Sequence, residues 1–411
     1  MVHPLDETLA TLISPMSVEQ FKSEFWQQRA VRVPGTPGKF ARYFDDERWY
    51  TDPAREATVA YPVEENGVRG TKEVKVDAGQ LPDFYEAGLA TVGHVGHVPE
   101  VAGLLDDLRA SFQVPTRGAD FVDTVLCFRS KDKAGWAGHW DVYHVFVLQI
   151  SGKKRWRYSR EPVVSAPDLP PASAAPGDEI GVLDGRSVLR PREHELAQVV
   201  LSAGDLLYMP PGTWHEPIAA GHSCHLAVAI GQISILDLLL NALRAHLISK
   251  LEWRAAIPAV TGDSRTSGDV PQELASLFTE RLVALGRDLA TMDARVVHQS
   301  WAASTAVRTD LLPPQRVITV QPKERLRRAT RAPIRYALGP SRNEPGQTEI
   351  FLYSGEAAAS LPDDALAFVR ELAKQQEFTA EAAIGWDPDS SWEEIQVALT
   401  ALVNEGILRR V

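Results

Sequence analysis

The sequence predicts a mainly β fold with helices appended: a β-barrel, then a helical stretch, then a small C-terminal module. Three observations predict it. From about Ala30 to Gln232, short apolar runs alternate with Gly, Pro and Asp turns, the texture of an antiparallel barrel. From Ile233 the apolar residues recur at helical spacing instead. Leu361 to Val411 then reads as helix, short helix, helix, strand. The divisions expected are therefore 1–232, 233–310 and 311–411.

The elements follow in order. Ser17-Val18-Glu19-Gln20 has capping-box form, and Val18, Phe21 and Phe25 continue at helical spacing. This predicts a helix packed on the barrel. Within the barrel, Val145 to Ile150 is an apolar run that reads as a buried strand. Ser151-Gly152 is expected to turn the chain. Lys153 to Tyr158 alternates basic and aromatic residues, as a second, antiparallel strand does.

Ile235, Leu236, Leu239, Leu243, Leu247 and Leu251 are spaced for one amphipathic helix. Leu274, Leu277, Phe278, Leu282, Leu285 and Leu289 suit a second. Helices this apolar need a partner surface. Near the C-terminus, Ser390-Ser391-Trp392-Glu393 opens a helix whose inner face is Ile395, Leu399, Leu402 and Val403. Gly406 stops it as a C-cap and Ile407-Leu408 begins a strand.

Composition excludes several classes. At 411 residues the chain is too long for one ordinary core, and its 44% apolar content allows two or three. It has no apolar run of the roughly 18 residues that a membrane helix needs. Met1 to Met16 carries Asp6 and Glu7 and lacks the pattern of a signal peptide. The two cysteines, Cys127 and Cys224, lie in apolar stretches and read as reduced core residues of a cytoplasmic protein. A net charge of −11 argues against general nucleic-acid binding. The one basic run, Lys323 to Arg335, reads first as a solvated or internally paired surface and second as a docking face for an acidic or RNA-rich partner.

Chemistry enters at His139-Trp140-Asp141 and at His215 in Pro210-Pro211-Gly212-Thr213-Trp214-His215. Two imidazoles and a carboxylate can hold a divalent iron on one face and leave the other open. On a strand, residues two apart point the same way, so His139 and Asp141 are expected to share a metal while Trp140 points elsewhere. His215 is expected from another strand, entered after a tight Pro-Gly turn.

His139 to Phe146, with Gln149, Gly152, Lys154, Arg155 and Trp156, resembles the cupin-type JmjC hydroxylases known as ribosomal oxygenases, in their bacterial branch. So do Gly204 to Glu216 and the leading segment Phe21 to Val33. The resemblance covers nearly the whole chain. It implies a double-stranded β-helix (a cupin/JmjC jelly roll), Fe(II), 2-oxoglutarate as co-substrate, dioxygen, and hydroxylation of a side chain, arginine or histidine, of a protein substrate such as a ribosomal protein. By position it makes His139, Asp141 and His215 the iron ligands and catalytic centre. Lys154 pairs with the far carboxylate of 2-oxoglutarate, and Ser130 and Ser223 lie near the co-substrate. It further implies a homodimer built on the helical region. The C-terminal segment resembles a winged helix, but it carries ten acidic residues against four basic, which favours a protein-contact role over DNA binding.

Two departures bear on the substrate. Ala227 and Ala229 stand where family members have hydroxyl residues, and Glu161 to Ala197 is longer than the family usually has. Three other readings stay open: a hydroxylase of a peptide natural-product precursor or small molecule, a non-enzymatic cupin ligand sensor with a DNA-binding winged helix, and a zinc or metal-independent cupin.

Overall fold

The computed structural model describes residues 6–49, 57–65, 68–112, 124–167, 177–183, 186–231, 234–258, 272–304, 317, 319–330, 333–341, 347–354 and 357–411. The chain forms two compact units, Met1–Gln232 and Ile233–Val411.

The first unit opens with helices α1 (Glu7–Ile13) and α2 (Val18–Glu24). Ser17 caps α2 by accepting from the Gln20 N–H at 3.1 Å, as the Ser-x-x-Gln pattern predicts. Strands β1 (Val31–Val33), β2 (Ala57–Glu65) and β3 (Val68–Val76) follow, then α3 (Leu81–Glu86), β4 (Ala90–His94), α4 (Pro99–Phe112) and β5 (Thr124–Ser130). Then come β6 (His144–Tyr158), β7 (Glu179–Leu183), β8 (Arg186–Leu189), β9 (Ala197–Ser202), β10 (Leu206–Met209) and β11 (His215–Ile230), with a 3-10 turn at Glu193–Glu195. The main sheet runs β1-β10-β6-β11-β5-β4-β2-β3, with β9 also on β6 and β7 paired with β8 apart.

The long antiparallel pair β6–β11 organises this jelly roll. The first half of β6 lies between β10 and β11, and its second half between β9 and β11. The expected turn at Ser151-Gly152 is instead a bend inside one continuous strand. β11 pairs with both halves of β6, with register shifts between Ala219 and Ser223 and between Cys224 and His225. Gly152 has φ +65°, and a Cβ there would lie 1.9 Å from the His222 carbonyl oxygen. Only glycine lets the two backbones approach that closely.

Alternation along β6 divides two cores. Phe146 and Leu148 join Phe21, Tyr208, Leu226 and Val228 against the helices. Val145 and Val147 point the other way, with Trp156, Met209 and Ala227. Each such side chain, fully buried, contributes roughly 1.5–3 kcal/mol of transfer free energy.

The second unit holds α5 (Ile235–Leu247), α6 (Leu251–Arg254), α7 (Gln272–Thr291) and α8 (Ala294–Ser304). Strands β12 (Arg325–Arg328), β13 (Arg335–Pro340), β14 (Thr348–Ser354) and β15 (Ala357–Pro362) follow, then α9 (Leu366–Leu372), β16 (Glu377–Thr379), α10 (Trp392–Asn404) and β17 (Leu408–Arg410). Two three-stranded sheets form, β13-β14-β15 and β16-β12-β17. α8 packs on α5, β13 and β14, so the helical stretch and the later strands share one unit.

The expected order at the C-terminus is present: α9, a short 3-10 helix over Ala380–Trp386, α10 and β17, with β16 added. Ser391 and Glu394 form a capping box at α10, and Gly406 follows its end at φ +78°. Part of the basic run is paired within the unit: Arg325 bonds Glu377 and Arg328 donates to the carbonyls of Ala373 and Gln375, while Glu324, the one acid in the run, bonds Arg410. On α5 and α7 the apolar stripe lies open within this chain, with Ile235 80%, Leu236 65% and Leu282 68% exposed.

Candidate metal centre

The chain passes twice beside the start of β11. Residues 133–139 run antiparallel to it, with Trp136 donating to the Pro217 carbonyl and His139 exchanging both backbone hydrogen bonds with His215. The rung His139–His215 sets the two imidazoles side by side, ring centroids 4.3 Å apart. Asp141 follows after one more residue, its carbonyl accepting from the Gly212 N–H at 2.8 Å. One ligand atom each from His139, Asp141 and His215 lies within 4.8 Å of the others.

This corrects one expectation. His139 forms a single bridge and Asp141 lies beyond it in irregular chain, so strand alternation is not what aligns them. Backbone bonds to the Gly212–His215 turn do that instead. Gly138 permits the approach: a Cβ there would lie 2.4 Å from the Trp214 ring.

Each imidazole is oriented by a carbonyl two residues upstream. The His139 Nδ1–H donates to Ala137 O at 2.8 Å, and the His215 Nδ1–H to Thr213 O at 2.9 Å. Both Nε2 lone pairs are left for a shared ion. His215 Nε2 is 3.6 Å from Asp141 Oδ2. Burial, then the adjacent His139, pushes the His215 pKa down to about 4, which keeps it neutral as a metal requires. Tyr143 bonds the Asp141 carboxylate, whose charge raises the phenol's pKa well above its usual value. His144, by contrast, bonds the Tyr208 hydroxyl at 2.8 Å in the helix-side core.

The trio opens on a cavity of ≈ 460 Å³. Its walls include Thr71, Glu73 and Lys75 from β3, Phe128 from β5, and His225, Ala227 and Ala229 from β11. The hairpin β2–β3 is tied to the metal segment, since Ala137 N–H donates to Thr71 Oγ1 at 2.7 Å and Trp136 Nε1 to Glu73 Oε1 at 2.9 Å. No sequence motif marks this hairpin, and none marks His225. Their one sequence signal is alternation, which puts His225 on the face of Ala227 and Ala229.

Behind the cavity, Lys154 is fully buried, its Nζ 3.3 Å from Ser130 Oγ and 5.8 Å from the centroid of the Phe128 ring. Ser223 faces Ser130 across β5–β11 and accepts from Gln149 Nε2 at 3.0 Å. Ser223 therefore belongs to the Gln149 network, while Ser130 holds Lys154. Among the described residues no carboxylate pairs with Lys154, and burial lowers its pKa to about 7. His225 Nδ1 and Trp156 Nε1 are also buried without a hydrogen-bond partner among the described residues. A lone buried ammonium beside orphaned polar atoms is costly and suits an anionic ligand. The residues present thus fit both a divalent metal and a small dicarboxylic acid.

The long segment 161–197 packs behind the metal segment where it is described. Val164 and Ile180 cluster with Trp140 and Trp214, and Arg190 bonds Glu216 at 2.8 Å. Among its described residues none lines the cavity. Cys127 and Cys224 are both buried free thiols, their sulfurs 3.8 Å apart. Among the described residues no helix is long and apolar enough to cross a membrane.

Residues 108–238 match the family described as JmjC domain. An uncharacterized protein of Bacillus subtilis, YxbC, is 27% identical over 267 residues, covering 61% of this chain and 78% of the relative. Ribosomal oxygenase 2 of Rattus norvegicus is 27% identical over 236 residues, covering 54% of this chain. Ribosomal oxygenase 1 of Gallus gallus is 29% identical over 272 residues, covering 61%. The matches span 47% and 42% of those two oxygenases' own lengths. In fold, the chain is similar to the ribosomal oxygenase YcfD of Escherichia coli solved with cobalt and succinic acid. The TM-score is 0.50 at 17% identity, covering 96% of this chain and 98% of that one. Over residues 108–238 the chain is thus similar to the JmjC domain family, and ribosomal oxygenases are among the proteins it resembles.

Proposed function

We propose that this chain is an Fe(II)- and 2-oxoglutarate-dependent dioxygenase that hydroxylates a side chain, arginine or histidine, of a protein substrate such as a ribosomal protein. The observation that carries the reading is the open-faced trio His139, Asp141 and His215, with the unpaired ammonium of Lys154 deeper in the same barrel. The similar YcfD structure holds cobalt and succinic acid, and succinate is what 2-oxoglutarate becomes on losing carbon dioxide and taking up one oxygen atom of dioxygen.

The iron and co-substrate supply the oxidising chemistry. The chain's residues supply geometry. His139, Asp141 and His215 would hold the iron, and Tyr143 steadies the carboxylate. Lys154 fixes the far carboxylate of 2-oxoglutarate, its main effect being orientation rather than net stabilisation. Val145, Val147, Trp156 and Met209 keep that part of the cavity apolar and exclude water. Glu73 and Lys75 stand in the wall from β3, where a substrate side chain meets polar groups.

The test is to incubate the iron-loaded chain with ribosomal proteins, 2-oxoglutarate and air. Succinate should form in step with a +16 Da product on an arginine or histidine. Succinate that instead tracks a free small molecule would move the substrate assignment to the natural-product reading, which the apolar Ala227 and Ala229 walls favour.

The open apolar faces of α5 and α7 support a homodimer built on this region. The acidic C-terminal segment supports a protein-contact role for the winged-helix-like module, and the internal pairing of Arg325 and Arg410 agrees with it.

A further inference from the structure

One polar group in the cavity has no task in the reading above. His225 is 2% exposed and lines the cavity from β11. Its ring lies parallel to Phe128 at 4.9 Å and 5°, and meets Trp156 edge-on at 5.6 Å and 75°. Two aromatic neighbours therefore fix its plane before any ligand arrives. Its Nδ1 has no hydrogen-bond partner among the described residues. A histidine kept for packing alone would leave this desolvation uncompensated, and an apolar ring would serve better.

Phe128 is also the ring against which Lys154 rests. The orphan imidazole and the buried ammonium thus share one neighbour, Phe128, in the cavity wall. Burial and the Lys154 charge both lower the His225 pKa, which keeps the ring neutral with one N–H to donate. Ser130 is the partner that Lys154 has in this structure, and Ala227 and Ala229 offer no hydroxyl from β11.

We infer that His225 is a co-substrate-binding residue, donating from Nδ1 to the far carboxylate of a 2-oxo dicarboxylic acid held by Lys154. This rests on the oxygenase reading. Ammonium and imidazole divide the carboxylate between them: one supplies charge, the other a fixed direction set by the Phe128 stack.

The experiment measures affinity, not turnover. Full-length protein loaded with Mn(II) under argon is titrated calorimetrically with 2-oxoglutarate and with oxalate. Oxalate also chelates a metal through two oxygens but has no far carboxylate. His225→Phe keeps an aromatic ring without the donor, and should weaken 2-oxoglutarate about ten-fold while leaving oxalate unchanged. His225→Gln restores an N–H and should recover most of the loss. If His225→Phe does not fold, as thermal melts will show, His225→Leu carries the same expectation. Unchanged 2-oxoglutarate affinity in the donorless variant, or equal losses for both ligands, overturns the role of His225. A wild-type protein that binds oxalate but not 2-oxoglutarate overturns the oxygenase reading itself, and this inference with it.

Discussion

His139 and His215 are joined by backbone alone: His139 N–H donates to His215 O at 3.1 Å, and His215 N–H to His139 O at 2.8 Å. The rung that aligns the two imidazoles therefore does not depend on either side chain. His139→Ala, or Asp141→Ala nearby, should leave the fold intact and remove the metal. Turnover of 2-oxoglutarate should fall more than ~100-fold, since loss of an outer-shell partner alone costs 10–100-fold. Metal analysis after anaerobic loading, beside circular dichroism, checks this. Full metal content in either variant removes that residue from the site.

Lys154 gives stability a pH dependence. In the folded chain without an anion it holds its proton only below about 7, against the usual 10.5 when unfolded. Between those values the unfolded chain binds more protons, so stability rises with pH across that window. Below about 7 the full cost of the buried charge is present. Lys154→Met should therefore be more stable than the ligand-free wild type at pH 6.5, by roughly 1–4 kcal/mol. The difference should shrink by pH 9.5. Urea midpoints at the two pH values measure it, and parallel behaviour of the two proteins would contradict it.

Gly152→Ala tests the bend in β6. The new methyl meets the His222 carbonyl oxygen, and the backbone sits at φ +65°. A loss of at least ~2 kcal/mol is expected from the strain and the clash together. Chemical denaturation reads it directly. A variant as stable as wild type would mean that β6 does not bend here.

Leu236 and Leu240 stand on the open face of α5, 65% and 53% exposed. The double change to Asp should convert the proposed dimer to a monomer without lowering the unfolding midpoint of the monomer. Sedimentation velocity at micromolar concentration decides. A wild-type chain that already sediments as a monomer ends the dimer proposal.

How far the sequence reached follows from what kind of signal each residue carries. His139, Asp141 and His215 stood out because few other tasks need two imidazoles and a carboxylate in turns next to apolar strands. Their alignment was harder to foresee, because it comes from backbone bonds between residues 133–141 and 212–219, which leave no spacing pattern. Gly152 was recognised as a turn residue, yet a glycine at positive φ serves a hairpin and a bend equally well. The β2–β3 hairpin wall was invisible, since Thr71, Glu73 and Lys75 alternate like any strand with one wet face. The sheet β13-β14-β15 leaves little trace for a related reason: β13 ends in Gly339-Pro340 and half of β15 is alanine, so these short strands carry too few residues to establish a period.

Tyr158 stands opposite His215, and Lys154 opposite Ala219, on the same two strands. The metal end and the cationic end of the chamber are thus marked off on one main-chain ruler, four residues or roughly 13 Å apart. The flexible stem of Lys154 spans part of that gap, and on the proposed function what remains sets the length of acid that fits. Inserting a single residue between these marks would turn the lysine to the opposite side of the sheet, a far heavier penalty than exchanging any wall residue.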